Sequence, residues 1–377
     1  MLKSYTTILF SSSCYIHARS SLNKNNENDS ITQQDDENFN YQVLERTCGI
    51  PVTKPNHNIF TNLDFRSSSS QSAKKTKKSQ KFSISSNLPL TSSLNTEHAL
   101  ANYYKNSKYY KLTKDSQTEF LQTSYTQRIV GGQEANPHSW PWQSHLSVCG
   151  KWYGMLECNI CGGAVIHPEF VVTAAHCMPE SASGTVILGA HSLSTGGTQR
   201  IPVLEFIQHP SWNAPKPFDH DVALLRLSQA AIFNDHVSPI CLPSPKTCYE
   251  AGTPCMVTGW GLQNELGGFP DELQEVAVKI IDQNECKKYS GYEQVSDNML
   301  CAGYANGGRD ACAGDSGGPL VCKVPGSAAW VIYGLVSWGY GCARPGAPGV
   351  YAKLPNLVSW IKEATGGKVG YDDSGVW

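Results

Sequence analysis

Phe170-Val171-Val172-Thr173-Ala174-Ala175-His176-Cys177 is the stretch on which the fold turns. Three apolar residues, two of them β-branched, suit a short buried strand, and the small residues after them end it beside one imidazole and one thiol. Runs of the same kind recur: Ala164-Val165-Ile166, Val186-Ile187-Leu188, Val222-Ala223-Leu224-Leu225, Cys255-Met256-Val257 and Trp330-Val331-Ile332-Tyr333. Gly, Pro, Asn or Ser separates most of them. The texture is all-β and reads as a sandwich or barrel. One helical pattern closes it. Pro355-Asn356-Leu357-Val358-Ser359-Trp360-Ile361 puts Leu357, Val358 and Ile361 on one face, with Gly366 as a stop.

The composition of the 377-residue chain changes sharply near residue 128. Residues 1–128 carry 16 Lys/Arg and 10 Asp/Glu, with 21 Ser, 13 Asn and no Trp. Residues 129–377 carry 14 Lys/Arg, 22 Asp/Glu and all nine Trp. The first part has little to bury and is expected to be largely disordered. The second predicts a folded unit over 129–365 and a flexible tail over 366–377. The net charge of −2 argues against a dedicated nucleic-acid binder. The run Lys74-Lys75-Thr76-Lys77-Lys78 reads as a solvated charge run, with a heparin or nucleic-acid patch as the alternative. Over residues 1–18, Lys3, the stretch Tyr5 to Phe10 and the small residues up to Ala18 leave two readings open, a secretory signal or an ordinary start. The sequon Asn28-Asp29-Ser30 adds little. No apolar run approaches the ~18 residues of a spanning helix, so no integral membrane association is expected. Fourteen Cys predict a disulfide framework rather than zinc, and with it an oxidising, extracellular setting.

Three short motifs carry chemistry. Thr173-Ala174-Ala175-His176-Cys177 follows a strand. Asp219-His220-Asp221-Val222-Ala223-Leu224-Leu225 puts an acid at the mouth of another. Gly314-Asp315-Ser316-Gly317-Gly318-Pro319 is a Gly-rich turn around one Ser. A Ser hydroxyl is a poor nucleophile until a base takes its proton. A His supplies that base near neutral pH, and a buried carboxylate fixes its tautomer. Flanking glycines let backbone N–H groups converge on a developing oxyanion. Each residue alone is weak evidence. The conjunction, in this chain order and 45 and 95 residues apart, is not.

These motifs resemble the trypsin/chymotrypsin family of serine endopeptidases. The resemblance covers residues 129 to about 365 and extends through Arg128-Ile129-Val130-Gly131-Gly132, Trp140-Pro141-Trp142-Gln143, Cys161-Gly162-Gly163, Val257-Thr258-Gly259-Trp260-Gly261 and Ser337-Trp338-Gly339. It implies two six-stranded antiparallel β-barrels with a C-terminal helix and an active site in the cleft between the barrels. By the same carry-over Ser316 is the nucleophile, His176 the general acid/base, Asp221 its orienting partner, and the N–H groups of Gly314 and Ser316 the oxyanion hole. Asp310 corresponds to the floor of the specificity pocket, Gly339 and Gly349 to its walls, and Ser337-Trp338-Gly339 to the segment that pairs with substrate backbone. That assignment implies cleavage after Arg or Lys, the alternative being that Asp310 is an ordinary surface acid. Arg128-Ile129 resembles an activation bond, whose cleavage would give Ile129 an ammonium that pairs with Asp315. The implied partners are protein or peptide substrates, protein protease inhibitors, and an activating protease or the enzyme itself. No cofactor is implied.

The family bridges match Cys161–Cys177, Cys255–Cys322, Cys286–Cys301 and Cys312–Cys342. Cys48, in Cys48-Gly49-Ile50-Pro51, resembles the start of a chymotrypsinogen-like propeptide, with Cys241 as its partner. Spacing alone suggests that Cys149 and Cys158 pair across a hairpin. Cys14 and Cys248 remain, and Cys248 is either free or competes with Cys241 for Cys48. Ala190 to Leu204, the loop that holds calcium in trypsins, contains no Asp or Glu, which argues against a metal there. Two rivals stay open: a protease fold that has lost catalysis and serves as a binding module, and an active protease that prefers aromatic residues.

Overall fold

Alternating and all-apolar runs take up two closed sheets. The computed structural model describes residues 48–56, 130–152, 155–195 and 199–371. The first 47 residues, the lysine run at 74–78 and the Arg128-Ile129 bond lie outside them. After a short β1 (Gln133–Glu134) come β2 (Gln143–Trp152), β3 (Met155–His167), β4 (Phe170–Thr173), β5 (Glu180–Leu188), β6 (Gln199–Gln208) and β7 (Ala223–Leu227). Strands β2 to β7 close an antiparallel barrel in the order β2-β3-β4-β7-β6-β5. Its interior is filled by Leu146, Val165, Val171, Val186, Leu188, Ile201 and Leu225, all at most 1% exposed.

The second barrel is built from β8 (Pro254–Gly259), β9 (Gln274–Ile281), β10 (Met299–Gly303), β11 (Pro319–Lys323), β12 (Trp330–Trp338) and β13 (Gly349–Lys353). They run in the order β9-β10-β13-β12-β11-β8, and β8 pairs back with β9 to close the ring, while β1 adds to the outer edge of β9. Val257, Val278, Leu320, Val331 and Tyr351 fill this core. The two six-stranded antiparallel barrels implied by the resemblance are therefore present.

Helices are few. Helix α1 (Gln283–Cys286) is a single turn, capped by the Asp282 carboxylate, which accepts from Asn284 N at 2.8 Å and Glu285 N at 3.2 Å. Helix α2 (Leu354–Ala364) buries Leu354, Leu357, Val358 and Ile361 on one face. It ends where the Thr365 hydroxyl donates to Ile361 O and Lys362 O, and Gly366 turns the chain at φ +64°.

Six disulfides are described: Cys48–Cys241, Cys149–Cys158, Cys161–Cys177, Cys255–Cys322, Cys286–Cys301 and Cys312–Cys342. Cys48 is thus taken by Cys241, and Cys248 is itself disulfide-bonded, so neither sequence-level alternative for Cys248 holds. The piece around Cys48 is fixed along the second barrel. Gly49 N donates to Pro239 O at 2.9 Å, Trp330 N to Gly49 O at 2.8 Å, and Asn136 Nδ2 to Lys54 O at 3.0 Å.

Leu225 lies on β7, between β4 and β6, with no exposure. Leu225→Ala is expected to lower unfolding stability by about 2–5 kcal/mol. Denaturant titration should show a lower midpoint with an unchanged slope.

Candidate active site

The pairing of β4 with β7 brings two strand ends together, with Thr173 opposite Ala223. Just beyond β4, a single 3₁₀ turn (Ala175–Cys177) carries His176, and Asp221 stands two residues before β7. His176 Nδ1 lies 2.7 Å from Asp221 Oδ2, and the His176 backbone N–H donates to Oδ1 at 2.9 Å. A third donor, the Ser337 hydroxyl, comes from β12 of the other barrel to Oδ2. The carboxylate has no exposed surface, and filling its lone pairs is what makes its burial tolerable. An ionised carboxylate can only accept, so the imidazole proton sits on Nδ1 and leaves Nε2 as a lone-pair acceptor. Burial favours the neutral imidazole. The charge and hydrogen bond of Asp221 act the other way and prevail, so the His176 pKa lies above its ordinary 6.5.

Ser316 sits where the barrels touch. Its carbonyl accepts from Gly162 N of β3 at 2.7 Å, and Cys177 Sγ, the neighbour of His176, is 3.6 Å from the same oxygen. The seam packs backbone closely against backbone and against the Thr173 hydroxyl. A Cβ on Gly162 would lie 2.8 Å from Gly318 Cα, and one on Gly317 would lie 2.1 Å from Thr173 Oγ1. Around Ser316, Asp315 N donates to Cys312 O, Gly317 N to Val336 O and Gly318 N to Asp315 O. The N–H groups of Gly314 and Ser316 donate to no acceptor among the described residues.

Asp315 turns inward from this loop and is fully buried. It accepts from Gly261 N at 2.8 Å and Cys312 N at 2.9 Å, and no cation faces it among the described residues. Burial pushes its pKa up to about 6, against the pull of those two donors. Its slot exists because Gly259 is bare: a Cβ there would come within 2.1 Å of Oδ1.

Beside Ser316 opens a cavity of about 240 Å³, whose lining includes Asp310, Ser316, Ser337, Trp338, Gly339 and Gly349. Asp310 is 3% exposed and accepts from Ala311 N at 2.9 Å and Ala343 N at 3.0 Å. Burial pushes its carboxyl up to about 7; the two donors oppose this and the charge of Asp315 adds to it. A Cβ on Gly349 would lie 2.6 Å from Asp310 Oδ1 and fill the space over the carboxyl. The Cys312–Cys342 disulfide joins two parts of the wall. Phe218 stands outside, its ring 6.1 Å from that of His176 and 6.3 Å from that of Trp338.

Among the described residues no group of three or more His, Cys, Asp and Glu side chains is disposed to hold a metal ion. The loop that begins at Ala190 is tied instead to the second barrel. Asp271 accepts from Ser192 Oγ at 2.6 Å and from Ser194 N at 2.7 Å.

Sequence reasoning placed Ser337 only in a substrate-pairing segment and missed its bond to Asp221. The two residues are 116 positions apart, and no local pattern announces the contact. Val336, Ala313 and Tyr351 were also missed as parts of the cavity wall.

Comparison with known proteins points to one family. The Trypsin family model matches residues 129–361. A dog (Canis lupus familiaris) protein described as a hepatocyte growth factor activator serine protease is 38% identical over 247 residues. That alignment takes in 63% of this chain and spans only 36% of the relative's own length.

The raised pKa of Asp310 has a signed consequence for stability. Between the unfolded value near 3.8 and the folded value near 7, the native state binds more protons than the unfolded one, so this group's contribution falls as pH rises. Unfolding titrations of wild type and Asp310→Asn at pH 4 and pH 8 should therefore show wild type losing ground to the variant at the higher pH. A difference that stays constant between the two pH values would contradict the shift.

Proposed function

The chain belongs to the trypsin family of serine proteases, and from that premise we propose that it is a secreted zymogen which, once cut after Arg128, hydrolyses peptide bonds that follow Arg or Lys. The observation that carries the specificity is the Asp310 carboxylate, buried at the cavity with two N–H donors and, among the described residues, no cation. A guanidinium or ammonium entering beside it supplies the missing charge, and the bare Gly339 and Gly349 leave a long side chain room.

In the proposed reaction Ser316 Oγ attacks the scissile carbonyl carbon while His176 Nε2 takes the hydroxyl proton. Asp221 stabilises the imidazolium that forms. The oxyanion accepts from the two N–H groups of Gly314 and Ser316, which have no other acceptor among the described residues. His176 then gives its proton to the leaving amine. Water, deprotonated by the same nitrogen, then attacks the acyl carbon; the bond to Ser316 Oγ breaks as His176 returns that proton to Oγ, and the acid leaves.

Activation follows the same charge logic. Cleavage after Arg128 would give Ile129 an α-ammonium, and Asp315 is a buried carboxylate with only backbone donors among the described residues. The next residue, Val130, already accepts from Asp310 N at 3.2 Å, which ties the new terminus to the specificity cavity. The Cys48–Cys241 bridge would keep the N-terminal piece attached after the cut. Six described disulfides support an extracellular site of action. Protein substrates, protein protease inhibitors and an activating protease, or the enzyme itself, are the partners this reading implies.

The test begins with N-terminal sequencing to verify cleavage at Arg128, followed by a peptide library and a serine-directed phosphonate. Arg and Lys substrates should dominate, Ser316→Ala should neither turn over nor label, and Asp310→Ser should lower kcat/KM for Arg about 10²- to 10³-fold. A preference for Phe or Tyr that survives Asp310→Ser would make the specificity aromatic. Absence of labelling after verified cleavage would make the protein a binding module.

The pH profile is a separate check. His176 must be neutral to act as base, and its pKa is raised by Asp221. Activity should rise with pH along a limb whose midpoint lies above 6.5, and a rate flat from pH 5 to 8 would exclude His176 as the base.

A further inference from the structure

Two loops flank the cavity, and one ion pair joins them. Residues 261–269 pass beside Ala313-Gly314: Leu262 N donates to Ala313 O at 2.8 Å, and Phe269 Cε1 lies 2.8 Å from where a Cβ on Gly314 would stand. Residues 339–346 supply part of the cavity wall through Gly339, Gly341 and Cys342. Arg344 Nε donates to Glu265 Oε1 and its terminal nitrogen to Oε2, each at 2.6 Å, so the pair is bidentate. The Cys342 N–H adds a third donor to Glu265 at 2.9 Å.

The next N–H along the chain is that of Ala343, and it donates to Asp310 Oδ2 at 3.0 Å. Consecutive peptide groups thus reach two carboxylates, one at the cavity and one in the neighbouring loop. The ion pair is packed directly on backbone. Gly341 has φ +81°, and a Cβ there would lie 2.2 Å from Glu265 Oε1 and 2.3 Å from Arg344 Nε. The Arg344 hydrogen bond, then that of Cys342 N, holds the Glu265 carboxyl down at about 2, so it stays ionised wherever the enzyme works.

We propose that Glu265 and Arg344 form a latch that positions the Cys342-Ala343 backbone, and through it the Asp310 carboxylate, to receive a cationic side chain. Both are positioning residues. The inference rests on the reading of Asp310 as the group that recognises Arg or Lys. An isolated exposed ion pair contributes little, but a bidentate pair with a third, backbone donor belongs to the stronger class. The other ion pairs among the described residues that join Lys or Arg to an acid, such as Arg226–Glu205 and Lys368–Glu169, include no residue of the cavity wall and share no described hydrogen bond with one.

A latch and a simple charge effect differ in sign. If only the local field mattered, Glu265→Gln would leave positive charge near the cavity and weaken cation binding, whereas Arg344→Gln would leave negative charge and strengthen it. A latch weakens binding in both variants. The experiment uses the full chain cleaved after Arg128, with p-aminobenzamidine, an aromatic amidinium, as a fluorescent probe of the cavity. An Arg peptide and a peptide with a neutral residue before the scissile bond serve as substrates.

Each single variant is expected to raise the amidinium Kd and the KM for the Arg peptide about three- to tenfold. Turnover kcat should stay within about twofold, and the double variant should be no worse than either single one. Glu265→Asp and Arg344→Lys, which keep the charge but lose reach or fork, should fall in between, and they keep the test open if a neutral variant folds poorly. Opposite shifts in the two neutral variants, or full additivity, would overturn the latch. So would unchanged affinity in both when wild type binds the probe well. A cleaved wild type with no amidinium affinity would instead overturn the Asp310 reading, and the latch with it.

Discussion

The Asp221 carboxylate is held by donors from both barrels. Two come from His176 in the first and one from Ser337 in the second. An uncompensated carboxylate in this position would cost several kcal/mol, so the barrels cannot drift apart here without losing a partner that burial makes necessary. The same constraint fixes the imidazole, because its Nδ1–H has one acceptor and its Nε2 is turned away from it. The relative placement of β4, β7 and β12 is thereby coupled to the protonation chemistry proposed for the cleft.

Two other buried acids are provided for differently. Among the described residues Asp310 and Asp315 have only peptide N–H donors, two apiece, and burial raises the pKa of both. Backbone dipoles reduce the cost of the charge without cancelling it. In the proposed function each acid waits for a cation that arrives from outside the folded unit, one on a substrate and one at a newly made chain end. Sites left short of positive charge in this way gain from the arrival itself, which gives recognition and activation a common physical basis. The bonds from Asp310 N to Val130 O and from Ala343 N to Asp310 Oδ2 put residues 130, 310 and 343 in one framework.

Much of the fold was legible because burial on both faces leaves continuous apolar runs. The runs at 164–166, 170–172, 186–188, 255–257 and 330–333 all lie within strands, and the 355–361 pattern lies within α2. Strand β6 left no such trace: Gln199–Gln208 is half-exposed along most of its length, and its polar residues mask the period. The barrel count came from resemblance, since strand texture alone does not separate a sandwich from a barrel. Within the site, His176, Asp221, Ser316 and Asp310 each stand in a local motif that can be quoted. The contacts that tie them to their surroundings cannot be. Ser337 to Asp221, Phe269 beside Gly314 and Arg344 to Glu265 are products of tertiary folding, spanning 116, 45 and 79 positions. The fate of Cys248 was misjudged for a related reason, since a pairing that the family pattern does not supply leaves no mark in local sequence.

The seam at Gly162, Gly317 and Gly318 limits how such a cleft can be redesigned. The three glycines bring backbone within reach of backbone and of the Thr173 hydroxyl, so at these positions a larger residue has no room and the approach of the halves is close to its limit. Volume-conserving changes inside either barrel are tolerated better than any enlargement at these three glycines. Diversification of this scaffold is therefore channelled into the rim, where loops such as 261–269 and 339–346 can change length and charge without moving the floor they stand on.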